Sequence, residues 1–414
     1  MNWKYSSIIV LAALALAIWL LSRAPFNPEF YTREKIRNNL FQIQSIDTMK
    51  YSRDLARAKA KDPNFDKVID AEMKLIAGAG ATHVAIGTPY DDEFIPMLSR
   101  WVRSARAHGL SVWFRGNFSG WEGWFSYPKI GRAEHLRKLE AFIRKHPDLF
   151  ESGDIFTPCP ECENGGPGDP RNTGDKAGYR KFLIDEFALA KTAFSDIGKS
   201  VGLYASMNGD IARYVMDSAS AESLGGGILV DHYVSSAEVF GKDIAEIREK
   251  LGVDIGLGEF GAPIPDLNGN MTEAGQAKFV RALMRELYLQ SGDIPVVNYW
   301  TLEGGSTELI RESKPREAYS VVKEYFQMPS LSGIISDTRG RILSGTEISF
   351  TDGSFSVKTE GAFYQIFIPP GERKLIASKE GYKSFNIELP EIFATSTIID
   401  IRLESTAKKP WYSF

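Results

Sequence analysis

The chain of 414 residues has only two cysteines, Cys159 and Cys162, in a single C-x-x-C. That count excludes a disulfide-built scaffold and any zinc site made from paired C-x-x-C motifs. Histidine is also scarce, and of the five only His232 falls at the end of a predicted strand. No metal and no cofactor are expected. Long runs of one charge sign are missing, and 49 Lys and Arg nearly balance 53 Asp and Glu, so nothing electrostatic recruits nucleic acid. The motifs H-E-x-x-H, G-x-x-x-x-G-K-[ST] and G-x-S-x-G are absent, which leaves metalloprotease, P-loop and serine hydrolase chemistry without support.

Long apolar runs are missing too, with one exception. Ile8 to Leu21 is wholly apolar between Lys4 and Arg23, so residues 1–25 read as a signal peptide or an uncleaved signal anchor. Pro25 stands where the first mature residue would follow Ser22-Arg23-Ala24, which favours the anchor. The expectation is an extracytoplasmic protein, secreted or held at the membrane by this segment. A buried core helix is the remaining reading.

With 43% hydrophobic and 25% charged residues the chain can bury a large core. From Phe41 to Met328, short β-rich runs alternate with segments of helical period. The predicted strands are Gln42 to Asp47, His83 to Gly87, Leu110 to Arg115, Asp154 to Thr157, Val201 to Ser206, Gly227 to Tyr233, Asp254 to Glu259 and Pro295 to Trp300. Eight such units predict an α/β fold in which residues 38–328 form a (β/α)8 barrel. After a linker read at Met328-Pro329-Ser330-Leu331-Ser332, alternating strands separated by turn signals such as Asp352-Gly353 and Pro369-Pro370-Gly371 predict a small all-β sandwich over residues 331–405.

A barrel places its chemistry at the C-terminal ends of its strands. Asp254-Ile255-Gly256-Leu257-Gly258-Glu259-Phe260-Gly261 ends by presenting Glu259 between glycines. The string also matches G-x-G-x-x-G, but Pro263 and Pro265 follow where a phosphate-binding helix would start, and Glu259 would repel a pyrophosphate. The fourth strand runs into Cys159-Pro160-Glu161-Cys162-Glu163-Asn164, so Glu161 or Glu163 can face Glu259 across the barrel mouth. Two facing carboxylates are what glycoside cleavage requires. The third strand leads into Arg115-Gly116-Asn117-Phe118-Ser119-Gly120-Trp121-Glu122-Gly123-Trp124. Arg115 and Asn117 are candidates for lining the pocket, and Trp121 and Trp124 for outer sugar subsites or for pinning the loop to the rim. Asp47 and Tyr90, after the first and second strands, are further candidates. The cysteine pair brackets Glu161, as a loop-stiffening disulfide or a free structural pair; a thiol-disulfide activity is a third reading.

On Pro160-Glu161-Cys162-Glu163-Asn164, Gly258-Glu259-Phe260-Gly261, His232-Tyr233 and Trp300, the barrel resembles the clan A glycoside hydrolases. The resemblance implies a retaining hydrolase (EC 3.2.1.-) cleaving a β-linked oligo- or polysaccharide through a glycosyl-enzyme intermediate. Glu259 then corresponds to the nucleophile and Glu161 to the acid/base. Tyr233 corresponds to the nucleophile's hydrogen-bonding tyrosine, beside His232, and Trp300 to the sugar platform. Pro160 stands where the family has an asparagine, which sets Glu161 against Glu163 and leaves Asn164, Asn208 and Asn117 as candidates for the missing amide. The alternative is a non-catalytic carbohydrate-binding cell-surface protein on a degenerate barrel. Ser332-Gly333-Ile334, Gly361-Ala362-Phe363 and Glu380-Gly381-Tyr382 resemble the carboxypeptidase regulatory-like domain, a transthyretin-like sandwich, and no catalytic residue is placed there.

Overall fold

The computed structural model describes residues 37–165, 168–351, 355–372, 374–389 and 396–407. The apolar segment Ile8 to Leu21 lies outside them, and among the described residues no helix is long and apolar enough to cross a membrane. The chain divides into two units, one spanning Asn39–Met328 and the other containing Pro329–Phe414.

In the first unit the strands are β1 (Ile43–Asp47), β2 (His83–Ile86), β3 (Ser111–Phe114), β4 (Ile155–Phe156), β5 (Gly202–Leu203 and Ala205–Asn208), β6 (Ile228–Asp231), β7 (Ile255–Phe260) and β8 (Val296–Tyr299). All pair in parallel. The two segments of β5 flank Tyr204 and stand at opposite ends of the sheet order. One strand therefore bonds β4 at its start and β6 at its end, which closes the barrel. Each predicted strand overlaps an observed one. Most barrel strands are buried on both faces, as helix-covered parallel strands must be.

The covering helices are α1 (Phe65–Gly78), α2 (Ile95–Ala107), α3 (Arg132–Lys145), α4 (Lys176–Asp196), α5 (Gly209–Val215), α6 (Ala237–Leu251), α7 (Glu273–Leu289) and α8 (Glu317–Phe326). Side-chain N-caps start three of them: Asp175, Ser236 and Thr272 accept from Gly178, Val239 and Gly275 backbone N–H groups, satisfying donors the first turn leaves open. The α7 stripe Val280, Leu283, Met284, Leu287 and Tyr288 is buried.

The barrel interior is layered by the two-residue pleat of its strands. Ala85, Trp113, Ile155, Leu229 and Val296 form an apolar cluster with Ile43 and Tyr204 against it. Two residues further along three of these strands come Arg115, Asp231 and Asn298, all buried. An apolar floor thus carries a polar layer one pleat above it. Gly256 belongs to the floor, since a Cβ there would come within 2.5 Å of Leu229 and 2.9 Å of Val296. Gly258 belongs to the polar layer, where a Cβ would overlap Asp231 and lie 2.7 Å from Ser206 Oγ. The two glycines of the G-x-G string are needed for interior close packing.

The second unit is all β. Its strands are β9 (Ser330–Asp337), β10 (Glu347–Phe350), β11 (Ser356–Lys358), β12 (Phe363–Phe367), β13 (Lys374–Ser378), β14 (Phe385–Glu388), β15 (Thr397–Ile398) and β16 (Ile401–Leu403). One sheet centres on β9, flanked by β12 on one side and by β15 and β16 on the other; the second runs β11-β10-β13-β14. Leu331, Ile335, Ile348, Leu375, Ala377 and Ile401 make its core, each fully buried.

Candidate active site

The end of β7 is irregular. Asp231 of β6 pairs with Glu259 rather than with Gly258, and the β8 ladder also loses register between Leu257 and Phe260. Gly258 is the extra residue of a bulge, a device that re-aims the next side chain. Its carbonyl leaves the ladder and must be satisfied elsewhere. Arg115 Nη1 and Asn298 Nδ2, the latter at 2.8 Å, both donate to it.

Arg115 is fully buried and organises three carboxylates. Its Nη2 donates to Glu259 Oε1 at 2.8 Å and to Asp231 Oδ2 at 3.3 Å, and its Nε lies 3.6 Å from Asp47 Oδ2. Burial opposes its charge, but Asp231, Glu259 and Asp47 together hold its pKa above the usual arginine value. Ser206 Oγ stands 3.0 Å from both Asp231 oxygens, and Asn298 Nδ2 reaches Asp47 Oδ2 at 3.3 Å. One guanidinium cannot neutralise three buried acids. Burial pushes Asp47 up to about 7 and Asp231 up to about 8, against the pull of Arg115. Glu259 receives a second donor, Tyr233 OH on Oε2 at 2.8 Å. Burial and then the Glu259 charge raise the Tyr233 pKa well above the phenol range, so it donates throughout the neutral range.

Glu161 completes the cluster. One carboxylate oxygen from each of Glu161, Asp231 and Glu259 lies within 4.8 Å of the others. Its backbone is left-handed (φ 45°), at the start of the short helical turn Cys162–Gly165. Burial first, then the charges of Glu259, Asp231 and Glu163, raise its pKa well above the ordinary glutamate value. Glu163 is engaged otherwise: Tyr179 OH donates to it at 2.8 Å, and Asn208 gives it N–H at 2.7 Å and Nδ2 at 3.0 Å. Of the two glutamates, Glu161 is the one whose carboxyl stands with Asp231 and Glu259, while Glu163 ties the turn to α4 and to the end of β5.

The structure corrects several expected pocket residues. Trp121 is 1% exposed, stacked on Phe182 at 5.2 Å with Nε1 donating to the Cys162 carbonyl, so it pins the loop and offers no sugar platform. Asn117 is fully buried, with Nδ2 on Glu122 at 2.6 Å and Cys159 Sγ at 3.2 Å and Oδ1 facing His135 at 2.8 Å. Asn208 is taken by Glu163, and exposed Asn164 accepts from Arg171 at 2.9 Å. His232 bonds Asp243 of α6 at 2.9 Å and is held below the usual histidine value by burial. One face of Trp124 lies under the Arg53 guanidinium, 4.8 Å away. Tyr90 stacks in the core at 4.3 Å from Phe142. Trp300 stays partly exposed, edge-on to Tyr233 at 6.2 Å.

Cys159 and Cys162 are joined, with Cα atoms 5.2 Å apart. The residues that sequence reasoning passed over are Asp231, Asn298 and Ser206. Asp231 had a signal, being an acid that ends the apolar run Ile228-Leu229-Val230.

No family model and no curated protein matches the chain. Among solved structures it is similar to Bacteroides uniformis beta-glucuronidase 2 covalently bound to cyclophellitol-6-carboxylate aziridine, at 12% identity and TM-score 0.46 over 81% of this chain and 44% of that one. It is also similar to the Bacteroides ovatus GH5 xyloglucanase in complex with a XXXG heptasaccharide, at 14% and 0.44 over 62% and 67%, and to a GH5-4 broad specificity endoglucanase from Bacteroides salanitronis, at 14% and 0.44 over 62% and 85%. The chain spans less than half the length of the first. All three are named as glycoside hydrolases or their activities, and the barrel assignment rests on this chain's own strand order and register.

Proposed function

We propose that this chain is a retaining glycoside hydrolase acting on a β-linked oligo- or polysaccharide. The observation that carries the reading is the pairing of Glu161 and Glu259 with nearest oxygens no more than 4.8 Å apart. Retaining pairs stand about 5–5.5 Å apart, whereas inverting pairs leave about 6.5–9.5 Å for a water between them. The environments also divide the roles. Glu259, fixed by Arg115 and Tyr233, is the acceptor-only carboxylate suited to attack the anomeric carbon. Glu161, whose pKa is raised by burial and neighbouring acids, keeps a proton for the departing glycosidic oxygen.

Once the ester to Glu259 forms, that carboxylate's charge is lost. Glu161, now deprotonated, loses a repulsive neighbour and can take a proton from water, which attacks the same carbon and releases Glu259. Trp300 at the rim supplies an apolar face for a sugar ring. The disulfide supports work in an oxidising compartment, in keeping with export of the chain and an anchor in residues 1–25.

The test is chemical rescue. Glu161→Ala should lose turnover of substrates with poor leaving groups, keep much of it with 2,4-dinitrophenyl glycosides, and yield β-glycosyl azide when azide is added. Glycan binding without any cleavage by the wild type, over long incubation with β-linked polysaccharides, would instead support a carbohydrate-binding protein on a degenerate barrel.

A further inference from the structure

The loop after β3 makes repeated contact with the turn that carries Glu161, and its contact at Glu122 is unusual. Glu122 is a half-buried carboxyl with no cation hydrogen-bonded to it among the described residues; its hydrogen bond comes from Asn117 Nδ2 at 2.6 Å. Burial pushes it up to about 7, against that hydrogen bond and the more distant Arg53 charge. Its other oxygen packs against the backbone of Gly165, the last residue of the Cys162–Gly165 turn, so closely that a Cβ built there would overlap the carboxylate. The same Asn117 amide reaches Cys159 Sγ at 3.2 Å. Asn117 and Glu122 thus touch both ends of the segment from Cys159 to Gly165.

Glu161 lies inside that segment. Its carbonyl accepts from Asn164 N at 2.8 Å, which makes it the first residue of the turn that Gly165 ends. A left-handed glutamate needs its surroundings to hold it. Displacing Gly165 displaces the turn and with it the carboxyl of Glu161.

We propose that Glu122 is a positioning residue for the acid/base: its carboxyl, oriented by Asn117, fills the space beside Gly165 and fixes the turn that aims Glu161 at the departing oxygen. This rests on the glycosidase reading above. It assigns Glu122 no contact with substrate, and it makes the missing side chain at residue 165 a requirement of the carboxyl.

The experiment compares wild type, Gly165→Ala, Glu122→Ala, the double variant and Glu122→Gln on two aryl β-glycosides. These are the phenyl and 2,4-dinitrophenyl glycosides of whichever sugar among glucose, galactose, xylose and glucuronic acid the wild type cleaves fastest. Protonation by Glu161 limits only the phenyl substrate. Gly165→Ala should slow phenyl glycoside cleavage at least tenfold and dinitrophenyl cleavage less than threefold. Glu122→Ala should act in the same direction, Glu122→Gln should retain most activity, and the double variant should be no slower than Glu122→Ala, because removing the carboxyl makes room for the new methyl. Losses that multiply in the double variant, or that fall equally on both leaving groups, overturn the positioning role while leaving the glycosidase reading intact. A wild type that cleaves none of the glycosides overturns that reading, and this inference with it. Thermal midpoints of the same variants guard against misfolding: if Gly165→Ala fails to fold, recovery of folding in the double variant supports the contact, and no recovery overturns it.

Discussion

Tyr233 donates its hydroxyl to Oε2 of Glu259 at 2.8 Å while Arg115 holds Oε1 at the same distance. The two oxygens are therefore held by different elements, Tyr233 just after β6 and Arg115 just after β3. A hydrogen bond to a charged group contributes about 1.5–3 kcal/mol, so Tyr233→Phe should lower kcat/KM by about 10- to 150-fold. The loss should appear mainly in kcat, because the bond orients the carboxylate proposed as the nucleophile rather than the sugar. Steady-state kinetics on an aryl glycoside checks this, and an unchanged kcat would separate Tyr233 from the reaction.

Arg115 is the cation of the polar layer, so its removal is expected to be structural before it is catalytic. Arg115→Met would leave Asp47, Asp231 and Glu259 without their cation and the Gly258 carbonyl with one donor fewer. Breaking a buried pair this way costs about 3–5 kcal/mol. Denaturant unfolding should show a loss of that order, partly recovered in the Arg115→Met, Asp231→Asn double variant. A single variant as stable as wild type would contradict the interior charge arrangement.

The buried acids fix a sign for stability against pH. Glu72 is raised to about 9 by burial and then by its hydrogen bond to Glu303, with Asp231 at about 8 and Asp47 and Glu122 at about 7. In the unfolded chain these carboxyls are ionised at pH 7, whereas the folded state retains protons. The folded state binds more protons, so stability falls as pH rises from 7 through 9. The histidines with lowered values, His83 and His232, titrate below this window. Thermal midpoints at pH 7, 8 and 9 should descend, and Glu72→Gln should flatten the slope. A midpoint that is constant or rising over this range would contradict the protonation pattern.

Strand order was legible because each parallel strand is a short apolar run between helical stripes, and burial on both faces leaves little room for another arrangement. Glu259 and Glu161 were legible as acids at strand ends. The aromatic loop misled: Trp121 and Asn117 have the right residue types for a sugar site, yet Trp121 stacks on Phe182 and Asn117 bonds Glu122 and Cys159. Sequence spacing does not say which side of a rim loop faces the pocket. The bulge at Gly258 was invisible for another reason, since it depends on register with β6 and β8. Without it, neither the role of Asn298 nor that of Arg115 beneath Glu259 can be read from the chain.

The most direct test of the central claim is trapping of the intermediate. Incubation with 2,4-dinitrophenyl 2-deoxy-2-fluoro-β-glycosides should inactivate the protein, add one fluoroglycosyl mass to the intact chain, and place that mass on Glu259 in the peptide map. A label on Glu161 or Glu163, or catalytic turnover of the parent glycoside with inversion at the anomeric carbon, would contradict the assignment of Glu259 as the nucleophile of a retaining hydrolase.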